Sequence, residues 1–142
     1  MLKTIMRDYA HPYPPRISDF TKTFWHALDD GRFITTRGAR SGGLTFPPKP
    51  FSPHEWGEPI EWTELSGQGK LYSWTTMYAV PAAFQREAPY RVCVVDLDEG
   101  IRVVTRLLSD GAAPLDSPIE LVVIRYTDCT SFAARLLSGA ET

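Results

Sequence analysis

Two cysteines and three histidines are the residues of this chain best suited to nucleophilic or metal chemistry. A thiolate paired with an imidazole can attack a carbonyl carbon, but no histidine lies in a motif that would pair it with a cysteine. Motifs of the Gly-x-Ser-x-Gly, His-Glu-x-x-His and phosphate-binding glycine-rich types are also missing from the sequence. The sequence therefore predicts no catalytic residue. The residues considered are Cys93, Cys129, His11, His26 and His54.

The local sequence around these residues favours structural roles. Cys93 lies among valines in an alternating apolar run, and a buried free cysteine usually behaves as a small hydrophobic residue. His54 and Glu55 are adjacent and could both bind a metal, but two ligands do not make a site. We expect Cys93 in the core and no bound metal.

The segment from Gly38 to Trp56 resembles a zinc ribbon that has lost its ligands. A ribbon places two Cys-x-x-Cys knuckles on either side of a short proline-rich span, so that four thiolates surround one Zn²⁺. The proline block is present, as Phe46 to Pro50. The resemblance implies a metal-free segment kept as a docking surface. The four knuckle positions hold Gly38, Ser41, Ser52 and Glu55.

Two further stretches extend this resemblance. Residues 62–75 read WTELSGQGKLYSWT, and residues 88–102 read APYRVCVVDLDEGIR. Both are similar to the signature stretches of the family numbered thirty-five among domains of unknown function, and the similarity runs from about Phe20 to about Tyr126. Members of that family combine a zinc ribbon with an OB-fold and accompany acyl-CoA enzymes.

The resemblance implies a bridging subunit that is not an enzyme by itself and needs no cofactor. It implies thiolase-like or ketosynthase-like catalytic partners, with the barrel placed where it could border a pantetheine channel. The similar small subunit of a diacetylphloroglucinol acetyltransferase favours acetyl transfer to a phenolic or polyketide acceptor in secondary metabolism. An accessory acyl-CoA-binding subunit of a thiolase, aldolase or hot-dog dehydratase complex is the alternative.

Length and composition indicate one globular domain. The chain has 142 residues, of which 43% are hydrophobic, and no apolar run approaches the roughly 18 residues of a membrane span. The first residues contain no apolar stretch typical of a signal peptide, and two cysteines do not make a disulfide scaffold, so we expect a cytoplasmic protein. A net charge of −2 argues against a nucleic-acid partner, which would need a basic excess.

Residues 1–17 read as an extended arm, because three prolines in HPYPPR disfavour a helix. A helix is expected over residues 18–30, with Ser18 as N-cap and Gly31 after its end. Phe20, Phe24 and Leu28 recur every fourth residue and form an apolar stripe. That stripe could pack on its own domain or dock on another subunit, and the sequence favours neither reading.

The rest of the chain follows a β pattern, so the predicted fold is mainly β. Five short strands separated by turn residues are typical of a five-stranded OB-fold barrel, at residues 60–66, 69–78, 90–97, 101–107 and 118–126. A short helix is expected at residues 131–138. The predicted division of the chain is 1–17 (arm), 18–56 (helix and ribbon), 57–128 (OB-fold) and 129–142 (tail).

Aromatic residues mark the candidate binding surfaces. Tyr72, Trp74 and Tyr78 should share one strand face, where core packing or partner contact is favoured over base stacking in a single-strand nucleic-acid module. An acyl-CoA binder would need a basic pocket, for which the candidates are Arg102, Arg106 and Arg125. The predicted partner-docking residues are Phe20, Phe24, Trp25, Phe46, Phe51 and Trp56.

Overall fold

The protein is described by a computed structural model that covers residues 1–11 and 14–137. Its described residues are mainly β. The elements are β1 (Thr4–Met6), α1 (Lys22–Asp29), β2 (Phe33–Gly38), β3 (Leu44–Thr45), β4 (Ile60–Leu65), β5 (Gln68–Met77), a 3-10 helix (Ala82–Glu87), β6 (Tyr90–Leu97), β7 (Arg102–Leu107), β8 (Pro118–Arg125) and β9 (Thr130–Leu136).

Strands β5 to β9 form a closed five-stranded barrel. The order around the barrel is β5-β6-β7-β9-β8, and β8 pairs back to β5. Neighbouring strands are antiparallel except for β7 and β9, which run parallel. This is a Greek-key barrel of the OB type, so the predicted OB-fold is confirmed.

The first and the last strand of the barrel are not the ones predicted. Strand β4, expected to be the first barrel strand, pairs with β2 in a separate sheet. The tail, expected to be helical from residue 131, supplies the last barrel strand instead. β9 pairs with β8 over seven residue pairs, which satisfies backbone groups that would otherwise lie on open sheet edges. The helix propensity of Ala133 and Ala134 contributes less to stability than this strand pairing does. Residue 138, the last of the predicted helix, lies outside the described residues.

Strands β2, β3 and β4 form a small antiparallel sheet in the order β3-β2-β4. We call residues 33–65 the small lobe. Its central strand is buried along most of its length, from Phe33 to Thr36. The register runs from Phe33 opposite Leu65 to Gly38 opposite Ile60. This sheet therefore holds the segment between β2 and β4 against the rest of the molecule.

The N-terminal residues are more ordered than an extended arm. Residues 4–6 form β1, which pairs in parallel with Val123 to Arg125 of β8. The helix is shorter than expected, since α1 begins at Lys22 and ends at Asp29. Ser18 forms hydrogen bonds with Thr21 before the helix begins. Gly31, at φ 80°, takes the left-handed conformation that allows the chain to turn away after the helix.

Four phenylalanines join the two lobes. The rings of Phe33 and Phe132 are 5.0 Å apart, those of Phe33 and Phe46 are 5.3 Å apart, and those of Phe24 and Phe33 are 5.6 Å apart. Because they come from α1, β2, the loop after β3 and β9, they form one shared core, which we call the aromatic junction. Helix α1 packs on its own domain, since Phe24, Ala27 and Leu28 are at most 3% exposed.

None of the helices in residues 1–11 and 14–137 is long and apolar enough to cross a membrane.

Candidate functional site

The carboxylate of Glu58 organises the small lobe. Glu58 is only 6% exposed, and its two oxygens accept four hydrogen bonds. The Arg40 and Ser41 backbone N–H groups donate at 2.9 and 2.8 Å. The Ser41 and Ser52 hydroxyl groups donate at 2.7 and 2.5 Å. One side chain thus links the turn after β2 to the loop before β4.

The predicted knuckle positions converge on this carboxylate. Ser41 and Ser52 donate to it, and a β-carbon at Gly38 would collide with it. The fourth position, Glu55, forms an ion pair of 3.1 Å with Arg40. The two turns are therefore brought together by a buried anion and its donors. Within residues 1–11 and 14–137, no three His, Cys, Asp or Glu side chains are close enough to hold a metal ion.

Hydrogen bonding keeps Glu58 ionised far into the acid range. The Ser41 backbone N–H and then the Ser52 hydroxyl lower the pKa of Glu58 from 4.5 to about 2, because both stabilise the charged form. At neutral pH the group is a carboxylate that can only accept hydrogen bonds. The donors around it match that requirement.

The loop that follows β3 presents two exposed aromatic side chains. We call residues 46–57 the proline loop. Trp56 is 98% exposed and Phe51 is 59% exposed. The loop backbone around them is held, because the His54 N–H donates to Ser52 Oγ at 3.1 Å and His54 Nε2 lies 2.9 Å from the Leu44 carbonyl oxygen. A large apolar side chain is therefore displayed on a well-anchored loop.

The other predicted docking residues are not gathered with these two. Phe24 is 3% exposed in the aromatic junction, so its prediction as a docking residue is wrong. Phe46 also packs into that junction. Trp25 is partly buried with its ring 5.0 Å from that of Phe24, and Phe20 lies 5.2 Å from the ring of Trp62. Phe24 and Leu28 of the helical stripe lie in the core, and core packing produces the same fourfold spacing as a docking face. The docking roles of Phe20 and Trp25 stay a prediction.

Neither cysteine is a candidate nucleophile. Cys93 is 1% exposed, and burial raises its pKa to about 11. Burial, followed by the nearby Asp128 carboxylate, raises the pKa of Cys129 to about 11. Because the thiolate is the reactive form, the raised pKa values disfavour a nucleophilic role for both side chains at neutral pH.

A β-bulge separates the aromatic residues that were expected to share one face of β5. The register with β6 shifts between Leu71 and Ser73, so the side chains beyond that point change faces. Tyr72 remains 46% exposed. Trp74 turns towards the domain, where its indole N–H donates to the Ala113 carbonyl at 2.9 Å. The predicted continuous aromatic face is therefore wrong.

The three arginines proposed for a basic pocket lie apart from one another. Arg102 forms an ion pair of 2.7 Å with Asp96, and Arg125 donates to the Asp29 carbonyl at 3.0 Å. Arg106 lines a cavity at the end of the barrel. Glu58 in the small lobe and the residues that line the barrel-end cavity with Arg106 were not predicted, because no sequence motif connects positions so far apart along the chain.

Comparison with known proteins assigns this two-lobed OB-fold architecture to a family. A family model described as the C-terminal OB-fold domain of ChsH2 matches residues 62–125. The benzoylsuccinyl-CoA thiolase subunit BbsA of Thauera aromatica is 34% identical over 113 residues, which is 77% of each chain. A DUF35 domain-containing scaffold protein of Pyrococcus furiosus is 36% identical over 101 residues, covering 71% of this chain and 74% of the relative.

A solved structure shows the same relationship in three dimensions. A chain of the Ltp2-ChsH2(DUF35) aldolase superposes with a TM-score of 0.74 at 28% identity, covering 86% of this chain and 98% of that chain. The present chain belongs to the DUF35 family. The family resemblance of residues 62–75 and 88–102 is thereby confirmed.

Proposed function

We propose that this protein is a non-catalytic subunit of an acyl-CoA enzyme complex and that it docks on a thiolase-type or aldolase-type catalytic subunit through the proline loop. The observation that carries this proposal is Trp56, which is 98% exposed on a loop whose neighbouring residues are hydrogen-bonded. The names of the relatives support the partner class, since one is a thiolase subunit and another is a scaffold protein.

The proline loop has the physical properties of an interface. Tryptophan is among the residue types that dominate binding energy when an interface buries them. Because Glu58 and His54 already hold the loop, docking would order few further groups, which lowers its entropic cost. Residues 50–58 also line a cavity of about 580 Å³, which could receive an apolar side chain of the partner.

The chemistry of the complex would be carried by the partner. Both thiols of this chain have raised pKa values. The narrower proposal is an acyltransferase complex with a thiolase-like or ketosynthase-like partner that acetylates a phenolic acceptor in secondary metabolism. It rests on the resemblance described above, whereas the proposed cytoplasmic location rests on the composition of the sequence.

The test is association with a thiolase-type or aldolase-type catalytic subunit, identified by mass among co-purifying proteins and then expressed separately. Trp56→Ala should weaken the complex by about 2 kcal/mol or more. Tyr78→Ala is a matched control, because Tyr78 is an aromatic residue outside the small lobe and is 77% exposed. Parental affinity for both Trp56→Ala and Phe51→Ala would overturn the assignment of the docking surface to the proline loop.

A further inference from the structure

A second concave surface lies at one end of the barrel and includes no residue of the small lobe. It is a cavity of about 440 Å³, within the size range of small-molecule sites. The ends of β5, β6, β7 and β8 meet there with the segment that follows β1. Such a convergence of strand ends can gather residues from distant parts of the chain around one ligand.

The cavity carries a local excess of positive charge. Three arginines, Arg7, Arg91 and Arg106, face two carboxylates, Glu87 and Asp110. This is one positive charge in excess, on a chain whose net charge is −2. A concave surface whose charge is opposite to that of the whole chain favours an anionic ligand over a cationic one.

Glu87 holds one side of this arrangement in place. Its side chain is 10% exposed and pairs with Arg106 at 2.9 Å. It also accepts hydrogen bonds from the Tyr9 hydroxyl at 3.1 Å and the Tyr126 hydroxyl at 3.4 Å. Burial and the Glu87 charge raise the pKa of Tyr126 to about 12, and they raise that of Tyr9 as well. Both phenols therefore remain protonated at neutral pH.

Contacts within the chain orient the three arginine side chains but do not use all of their N–H donors. A guanidinium group has five N–H donors. Arg91 uses Nη1 for the carbonyls of Ser109 and Gly111, both at 2.8 Å, and it stacks on Trp74 at 4.2 Å. Arg106 uses Nη1 for Glu87 and stacks on Tyr90 at 3.8 Å. Arg7 donates to the Met6 carbonyl at 3.4 Å and also lies beside the Tyr9 hydroxyl.

We propose that this cavity binds a small organic anion, whose carboxylate or phosphate group contacts Arg7, Arg91 and Arg106. Its planar or apolar body lies against Tyr90, Leu108 and Ile124, which line the same cavity. Oriented arginines recognise either oxyanion through paired N–H donors. The apolar wall distinguishes an organic anion from an inorganic one. This site does not depend on the docking surface proposed above.

The chain itself offers a matched control for Arg106. Arg102 lies four residues earlier on β7, stacks on Tyr72 at 3.8 Å and pairs with Asp96 at 2.7 Å. It therefore makes the same two kinds of contact as Arg106, but it does not line the cavity. Arg106→Gln and Arg102→Gln each remove one positive charge. A difference between the two variants in ligand affinity would therefore reflect contact in the cavity and not the change in net charge.

The experiment titrates the purified full-length chain with benzoate, adenosine 3′,5′-bisphosphate and inorganic phosphate, followed by calorimetry and amide NMR. At least one organic probe should bind, with shifts at residues of the cavity. Arg106→Gln should weaken it about tenfold or more through the lost charge-assisted hydrogen bond, and Arg102→Gln should not. Arg7→Gln serves if Arg106→Gln does not fold, since Arg7 has no carboxylate partner among residues 1–11 and 14–137.

The probes also separate the possible anions. Binding of benzoate alone identifies a carboxylate ligand, and binding of the bisphosphate alone identifies a phosphorylated one. Binding of inorganic phosphate with neither organic probe would overturn the proposal, as would equal weakening by Arg102→Gln or no binding of any probe at millimolar concentration.

Discussion

The barrel and the small lobe are held together by different interactions. Inside the barrel, apolar side chains from several strands are at most 1% exposed, among them Leu71, Val95, Val103 and Ile119. Burial of this kind is non-directional and summed over many atoms. In the small lobe, the turns near Ser41 and Ser52 are joined through the Glu58 carboxylate. That connection depends on charge and on hydrogen-bond geometry.

The difference predicts how each region responds to perturbation. Loss of one apolar group in the barrel should lower the stability of the whole domain, because the aromatic junction couples the lobes. Loss of the Glu58 carboxylate should loosen the proline loop first, since local opening can occur without global unfolding.

The largest effect should follow truncation at the aromatic junction. Phe33 is fully buried and contacts rings from α1 and β9, so Phe33→Ala should lower the free energy of unfolding by about 3–5 kcal/mol. Denaturant titration measures this. Phe51→Ala makes the same truncation at a 59% exposed position and should cost far less. Equal costs for the two variants would contradict a shared core between the lobes.

Glu58→Gln should act locally. The N–H₂ group of Gln would replace the oxygen that accepts from the Ser41 and Ser52 hydroxyl groups, so both hydroxyls would have to turn and accept instead. The backbone N–H groups of Arg40 and Ser41 could still donate to the remaining oxygen, but those two bonds would lose their charge assistance. We expect the exchange rates of those two amide protons to rise on the order of tenfold, with little change in barrel amides. Uniform acceleration across β5 to β9 would show instead that the small lobe and the barrel open together.

Acid should produce the same local loosening in the parental protein. The pKa of Glu58 is lowered in the folded state, from 4.5 to about 2. Its stabilising contribution is therefore fully present above about pH 4.5 and is lost as the pH falls towards about 2. Amide NMR shifts of Ser41 should follow this window. Glu58→Gln should show no such titration, and a midpoint near pH 6 would contradict the assignment.

Cys93→Ala should have a modest effect. Removing one buried sulfur atom should cost about 1 kcal/mol, without changing the turnover of an assembled complex by more than a few-fold. The pKa values of both thiols are raised to about 11, so their exposure should decide their relative reactivity. Cys93, which is 1% exposed, should resist alkylation by iodoacetamide at pH 7.5 more strongly than the partly exposed Cys129. Loss of turnover by orders of magnitude in an intact complex would assign Cys93 a catalytic role.

Trp56→Ala should have the smallest effect on stability. A side chain that is 98% exposed buries almost no apolar area in the free protein, so the free energy of unfolding should change by less than about 0.5 kcal/mol. Denaturant titration of the isolated chain measures this. A larger loss would mean that Trp56 packs within the domain, which would weaken its assignment to an interface.

Local pattern was enough to predict most of the barrel. Alternating apolar residues located β6 and β7 closely, and the turn at Gly100 was expected from its conformational freedom. Pattern could not assign β4 to the second sheet, since a strand's own sequence does not name its pairing partner. It also failed at β9, where pairing with β8 outweighs local propensity.

Features that depend on long-range contact were out of reach. The bulge beside Tyr72 reverses the faces of β5, and alternation alone assumes that none exists. Glu58 belongs to no motif, and its role arises because two turns fold around it. The cavity at the barrel end draws on Arg7, Glu87 and Tyr126, which folding alone brings together.

Because β9 closes the barrel, the coding sequence for the OB-fold cannot be cut before β9 without opening the barrel. A fragment ended at residue 128, where the sequence alone suggests that the OB-fold stops, would lack β9 and the Phe132 ring. The exposed edges of β7 and β8 would then be free to pair with other chains. If recombination transferred the barrel to another protein, residues 129–137 would therefore have to be transferred with it. The new protein would also need side chains that cover Phe132, as Phe24, Phe33 and Phe46 do here.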